Sequence, residues 1–268
     1  MQQGILNRIL KKFFQKENRL FLYLSVIIIL ILFLSAYAGK WSSNQSIDSF
    51  IITGNKFIPT EELLGNVDSS IVSGIREDVE LLELKDKIVR HPYVQTSFII
   101  QKSSSVIEIE VKERMPIAIL VNKDGGLSYC DAMANVLPYR LSLQFQDMPI
   151  VRNIFKNNLV DTNALESAVR ILKEMKKQEY SMLMHYVSEL NYERDSKTFS
   201  IITTDNACIV KFGTAENIRE KLQRLSDFYE YALQDINVND IRYIDVRWDE
   251  RIIVQTKQVV PIPVNVAI

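Results

Sequence analysis

The stretch LFLYLSVIIILILFLSAYA, Leu20 to Ala38, runs for 19 residues without a charge. At about 1.5 Å per residue such a run matches the hydrocarbon core of a bilayer, and soluble buried helices are seldom so uniformly apolar. Ala36-Tyr37-Ala38 fits the small-x-small pattern of a cleaved signal peptide. Signal apolar regions, however, span only about 7–15 residues, so an uncleaved anchor is the favoured reading. Tyr23, Tyr37 and Trp41 lie near the two ends, as interfacial aromatics do. Arg8, Lys11, Lys12, Lys16 and Arg19 precede the run, and only Lys40 follows closely. The positive-inside rule then places residues 1–19 in the cytoplasm and residues 40–268 outside it.

Charge and cysteine content exclude several classes. The 268-residue chain has a net charge of −1, while residues 1–19 alone carry five basic side chains against Glu17, or +4, leaving −5 for the remainder. A mildly acidic remainder gives no electrostatic case for nucleic-acid binding. Cys130 and Cys208 lie far apart, with no CxxC or Cys/His ligand spacing to suggest a metal site. They form either a disulfide in an exported domain or two buried free thiols; the second is favoured. With 47% hydrophobic residues the chain supports one large or two small cores.

Beyond a polar linker at 39–46, the first exported unit reads as β-α-α-β-β over residues 47–113. Ile47–Thr53 forms a strand ended by a turn at Gly54-Asn55, and Pro59–Leu64 a short helix. A second helix covers Asp78 to Arg90, with Leu81, Leu84 and Ile88 on one face, and His91-Pro92 stops it. Val94–Lys102 and Val106–Lys112 are strands joined by Ser103-Ser104-Ser105, with Ile107, Ile109 and Val111 facing one way.

The second unit, 114–257, reads as a mixed, mainly antiparallel β domain with two helices. Strands are expected at Ile117–Asn122 and from Leu127. A helix at Thr162–Lys177 has Asn163 and Glu166 spaced as a capping box. Leu165, Ala168, Val169, Leu172 and Met175 form its apolar stripe. A meander follows at Val187–Arg194, Thr198–Thr204 and Cys208–Phe212. A helix then starts at Gly213-Thr214 and runs to Gln234, with Ile218, Leu222, Leu225, Tyr229 and Ala232 along one face. In IRYIDVRWDERIIVQTK the even positions Ile244, Val246, Trp248, Ile252 and Val254 are apolar. The polar break Asp249-Glu250-Arg251 divides an inner strand, Ile241–Trp248, from an outer one, Arg251–Lys257. Trp248 is either a core plug or a binding anchor. Residues 258–268 read as a C-terminal tail.

Three stretches of the first unit, IDSFIITGN (Ile47–Asn55), HPYV (His91–Val94) and ERMPIA (Glu113–Ala118), carry a resemblance. They match in order the "I-x-V-x-G-N", "hP-x-V" and "ER-x-P-x-A" motifs of the bacterial cell-division family FtsQ/DivIB. VKFGTAENIREKL (Val210–Leu222) resembles its "v-x-lG…eKl" signature, and Ile244–Trp248 its "iDlRy". The resemblance implies an α+β chain: one transmembrane helix, a POTRA domain at 47–113 and an FtsQ-type β domain at 114–257. One departure is Asp131-Ala132-Met133-Ala134, where the family usually has glycine; Asn135 is expected to take the left-handed conformation there.

The same resemblance implies a non-enzymatic scaffold in the inner membrane at the division septum. It would link FtsB/DivIC-like and FtsL-like bitopic partners by strand addition to the last strand, and other division proteins through the POTRA unit. Its contact positions fall on Trp248 (usually tyrosine), Glu250 and Thr256 (tryptophan in some members). The candidate edge adds Arg251, Ile252, Ile253, Val254 and Gln255. Arg251 and Lys257 would discourage promiscuous pairing. No GxSxG, HExxH or P-loop motif is present. His91 suits a capping or packing role and His185 a strand start. No catalytic residue, cofactor, metal or small-molecule substrate is expected. An anchored envelope enzyme, such as a peptidoglycan hydrolase, would need a polar constellation that the sequence does not offer. Another POTRA-type assembly factor would bring repeated units and a barrel.

Overall fold

The computed structural model describes residues 19–42, 49–65, 78–103, 106–141, 148–231 and 237–257. The expected cytoplasmic segment up to residue 18, half of the expected linker (43–46), Ile47, Asp48, Ser104, Ser105, Ala232 and the C-terminal tail lie outside them, while residues 39–42 of that linker continue the first helix. Helix α1, Arg19–Ser42, is continuous over 24 residues. Among the described residues no helix is long and apolar enough to cross a membrane. In α1 the side chains are described without a gap only from Tyr23 to Ala38, and all of these are exposed.

The described elements make a mixed α+β fold with one small and one large sheet, in two compact units. The first comprises Met1–Asn55, Pro59–Arg90 and Thr96–Val111; the second comprises Lys56–Ile58, His91–Gln95 and Lys112–Ile268. The small sheet has strand order β1-β3-β2, where β1 is Ser49–Thr53, β2 Val94–Gln101 and β3 Val106–Glu113. Helices α2 (Thr60–Gly65) and α3 (Asp78–Val89) separate β1 from β2. β1 runs parallel to β3. Ile107, Ile109 and Val111 are buried, as their alternation requires, and so are Leu84 and Ile88 on α3. Gly54 closes β1 at φ +82°, and a Cβ there would meet the Val111 carbonyl oxygen at 2.2 Å. Only glycine fits that approach.

The large sheet orders nine strands as β14-β13-β12-β11-β10-β7-β4-β5-β6. They are β4 Pro116–Val121, β5 Leu127–Asp131, β6 Val136–Pro138, β7 Ile150–Arg152 and β10 Val187–Glu193, then β11 Thr198–Thr203, β12 Ile209–Gly213, β13 Ile241–Asp245 and β14 Ile253–Thr256. A two-stranded ribbon, β8 (Phe155–Lys156) and β9 (Leu159–Val160), lies apart from it. β7 runs parallel to β4 and β10, and β12 parallel to β13; the other neighbours are antiparallel. Helices α4 (Thr162–Met175) and α6 (Ile218–Tyr231) pack on this sheet. They bury Leu165, Leu172, Leu222 and Leu225 in one core with Leu120, Val151, Leu190, Val210 and Ile244. Each such side chain contributes about 1.5–3 kcal/mol of burial.

Four local expectations are corrected. Asp161, not Asn163, caps α4: its carboxylate accepts from the Ala164 amide at 3.1 Å. Helix α6 begins at Ile218 rather than at 213–214, because Gly213 still belongs to β12, at φ +80°. Phe228 joins Leu222 and Leu225 in its buried stripe, while Tyr229 is only half-buried. His185 lies on a short helix α5, Ser181–Tyr186, and not at a strand start. Ala134, not Asn135, is left-handed (φ 62°). The local cost of about 1–2 kcal/mol is offset by the buried Asp131 carboxylate. It accepts from the amides of Met133 (2.8 Å) and Asn135 (2.9 Å), the Asn135 side chain and Arg114 (3.0 Å).

Candidate partner-binding edge

β14 is terminal in the large sheet, and among the described residues no strand lies beyond it. Its outward chemistry follows from hydrogen-bond parity. The Val246 amide donates to the Lys211 carbonyl of β12 at 3.2 Å. Amides alternate along a strand, so Ile244 also turns toward β12, while Tyr243 and Asp245 turn toward β14. Tyr243 faces Gln255 and Asp245 faces Ile253, so these are the bonded pairs. Beyond a register shift between Ile241 and Tyr243, the Lys257 amide donates to the Asp240 carbonyl at 2.6 Å, so Lys257 also turns toward β13. Val254 and Thr256 therefore direct their backbone N–H and C=O groups away from the sheet.

The side chains sort the other way. Ile252 and Val254 pack partly against the core, whereas Ile253, Gln255 and Thr256 are exposed. Ile253 is 40% exposed and Trp248 48%. Lys257 Nζ donates to the Asn239 carbonyl at 3.0 Å, which holds the end of β14 against the turn before β13.

The segment before β14 departs from its expected form. The inner strand stops at Asp245 rather than Trp248. Asp245, 4% exposed, accepts from the Arg247 amide (3.1 Å), Nε (2.9 Å) and Nη2 (2.6 Å), which bends the chain after Val246. Burial opposes ionisation of Asp245, but these bonds prevail and hold its pKa below the usual carboxylate value. Trp248 is thereby turned out of the core. The Arg251 guanidinium lies 5.8 Å from the Trp248 ring centroid, and Glu250 takes the left-handed conformation (φ 59°). The structure thus brings Trp248, Glu250, Arg251 and the four residues of β14 onto one border of the sheet.

Sequence reasoning missed the supports beneath this border. Arg224 Nη2 donates to the Val246 carbonyl at 3.0 Å, and Lys211 Nζ sits 3.7 Å from the Tyr243 ring centroid. Buried Lys221 donates to the Thr214 carbonyl at 2.8 Å, and burial lowers its pKa. The signal was in Lys221 of the "eKl" match, whose charge looks solvated when read alone.

Elsewhere the motifs have structural tasks. Glu113 accepts from the amides of Phe57 and Ile58 at 3.0 and 2.9 Å, and Arg114 pairs with Asp131. His91 is buried, and its Nδ1 accepts from the Tyr93 amide at 3.3 Å. Both cysteines are free and buried; burial pushes the Cys130 thiol up to about 12 and raises that of Cys208. A cavity of about 620 Å³ beside α5 is lined by Lys176, His185, Ser188 and Thr204, but the Thr204 hydroxyl donates to the His185 carbonyl at 3.0 Å. Among the described residues no group of three His, Cys, Asp or Glu side chains is placed to hold a metal ion.

Comparison with known proteins adds two findings. The family model described as "FtsQ/DivIB, C-terminal related" matches residues 115–255. The cell division protein FtsQ of Salinibacter ruber is 25% identical over 227 residues, covering 81% of this chain and 85% of that protein.

Proposed function

The chain belongs to the FtsQ/DivIB family, and from that premise we propose that this cell-division protein is a membrane-held scaffold that accepts a partner strand along the outer side of β14. FtsQ is generally a non-enzymatic division protein, and nothing at this border requires bond chemistry. The observation that carries the reading is the pair of outward-turned residues, Val254 and Thr256, on the last strand of the large sheet. Main-chain hydrogen bonds would give affinity, and side chains such as Trp248, Ile253 and Gln255 would give specificity. FtsB/DivIC-like and FtsL-like bitopic proteins are the expected partners. Thr256 offers less contact area than the tryptophan of some relatives, so this chain's partner must pack differently there.

The remaining assignments follow the same premise. Leu20–Ala38 anchors the protein in the inner membrane, with residues 1–19 inside and the bulk outside, at the septum. Support comes from the sequence, which runs 19 residues without a charge, and from the exposed side chains of Tyr23 to Ala38. Residues 47–113 act as a POTRA-like docking module, and residues 114–257 form the β domain.

Parity selects the test. Ile253→Pro removes a donor that β14 gives to β13, and so damages the sheet itself. Thr256→Pro removes an outward donor, and edge strands tolerate proline at such positions. In full-length protein held in nanodiscs, Thr256→Pro weakens capture of the partner's extracytoplasmic part by about tenfold, the equivalent of ~1.4 kcal/mol. Unweakened capture by a folded Thr256→Pro protein would refute strand addition. Depleting the protein yields filamentous cells; normal septation on depletion removes the division role altogether.

A further inference from the structure

Two basic residues of α6, Lys221 and Arg224, stand three residues apart and so share one face of the helix. Each reaches a main-chain carbonyl just past the end of a strand. Lys221 Nζ donates to Thr214, beyond β12, at 2.8 Å, and Arg224 Nη2 donates to Val246, beyond β13, at 3.0 Å. Like charges at this spacing repel. The arginine carries a second cost, because its Nε is buried without an acceptor among the described residues. An apolar side chain would cover the core there more cheaply. Among the described residues the guanidinium makes one hydrogen bond, the one to Val246. That bond is the only return on its charge.

The Val246 carbonyl belongs to a clamp. The Val246 amide donates to the Lys211 carbonyl at 3.2 Å, so the residue is held through both its polar groups. Arg247, next in the chain, is tied to Asp245 through its amide, Nε and Nη2. The stem of Arg247 lies on Gly213. A Cβ at Gly213 would stand 3.0 Å from Arg247 Cγ and 3.3 Å from Cδ, and the backbone there has φ +80°. Glycine alone satisfies both conditions. β12, β13 and α6 therefore converge on Val246 and Arg247, and the following residue is the half-exposed Trp248. We propose that Arg224 is a positioning residue for Trp248: it fixes the chain just before the ring, over the bed that Gly213 leaves for Arg247, so that one orientation meets the partner. Ordering an anchor in advance spares that cost on binding, which is how a residue that touches no partner raises affinity. The docking role of Trp248 rests on the reading of the edge given above; the clamp itself does not.

Tryptophan fluorescence on the full-length protein in nanodiscs tests the proposal. The chain has two tryptophans, so Trp41→Phe leaves Trp248 as the reporter. Arg224→Met keeps the bulk of the stem and deletes the donors. It enlarges the fast component of the Trp248 anisotropy decay and raises quenching by acrylamide. Gly213→Ala displaces the Arg247 stem without touching α6 and loosens Trp248 in the same way. Arg219→Met is the control: it removes an arginine of the same helix that bonds Glu174 instead, and it leaves the decay unchanged. In capture of the FtsB/DivIC-like partner's extracytoplasmic part, Arg224→Met weakens binding about fivefold and Trp248→Ala about thirtyfold. The double variant binds no worse than Trp248→Ala alone, because Arg224 acts through that ring. A Trp248 decay unmoved by Arg224→Met overturns the proposal. So does equal loosening by Arg219→Met, or a double variant in which the two losses multiply. If Arg224→Met loosens Trp248 while Trp248→Ala leaves capture unchanged, the clamp stands and the docking reading of Trp248 fails.

Discussion

At one end of the large sheet, β6 is three residues long and stops at Pro138, whose carbonyl accepts the Tyr93 hydroxyl. Arg140 lies over the Tyr93 ring, the Tyr129 and Tyr139 rings meet at a tilt of 31° with centroids 5.0 Å apart, and the Arg114 amide donates to the Tyr93 carbonyl. At the other end, β14 is held by β13, by Lys257 and by little else among the described residues. Each end turns on a buried aspartate. Asp131 shapes the turn into β6 and binds Arg114; Asp245 shapes the bend after β13 and binds Arg247. The partners differ in exposure: the Arg114 side chain is 21% exposed and that of Arg247 46%. The β6 end is thus tied by side chains, while Val254 and Thr256 at the β14 end turn their main-chain groups outward; on the proposed reading, that is the end at which the sheet grows.

That contrast can be broken by substitution. Asp131→Ala strips several donors of a buried acceptor and leaves Arg114 without its carboxylate, so about 3 kcal/mol or more of stability is lost in urea unfolding. A loss under 1 kcal/mol would mean that the β6 end is not held by this turn. Asp245→Ala costs less, about 1–2 kcal/mol, because Arg247 is already half in water. Equal losses at the two ends would erase the distinction. Tyr93→Phe deletes one hydroxyl and costs about 1 kcal/mol by the same measurement.

Acid sharpens the comparison. At Asp131 burial opposes ionisation, but the bonds from Asn135, Arg114 and Met133 prevail and lower its pKa; Asp245 is lowered in the same sense by Arg247. A depressed carboxylate pKa adds stability that is complete above the unfolded value of about 3.9 and is lost as pH falls through the folded value. Unfolding free energy therefore drops below about pH 4. Asp131→Asn and Asp245→Asn each flatten that drop, measured by urea titration across pH 2–6, and a slope unchanged in both would contradict the assignment.

Much of this layout was legible in the residues, since alternation marked β3, helical spacing marked the stripe of α4, and the polar break Asp249-Glu250-Arg251 separated β14 from β13. What escaped were places where one side chain overrides a pattern. Asp245 ends β13 by bonding its own neighbour Arg247, so Trp248 keeps the alternation in sequence but leaves the buried face in space. Asp161 displaced Asn163 as the cap of α4 because it stands at the last extended residue, which spacing alone does not locate. Ala134 accepts a left-handed backbone because Asp131 binds the amides on both sides of it, a compensation invisible until the carboxylate is placed. The edge itself was legible as a last strand; which of its amides face outward required the register with β13.

Strand addition at β14 is tested most directly by its periodicity. Gln255→Cys places a thiol on an exposed side chain, while Cys130 and Cys208 are buried with raised pKa values and stay silent. Single cysteines are then scanned along the partner's extracytoplasmic segment, and disulfide formation with the full-length Gln255→Cys protein is measured. A partner strand on β14 gives crosslinks at every second position, because alternate side chains share one face. Crosslinks recurring every three to four residues, or none at all from a partner that still binds, would contradict the account.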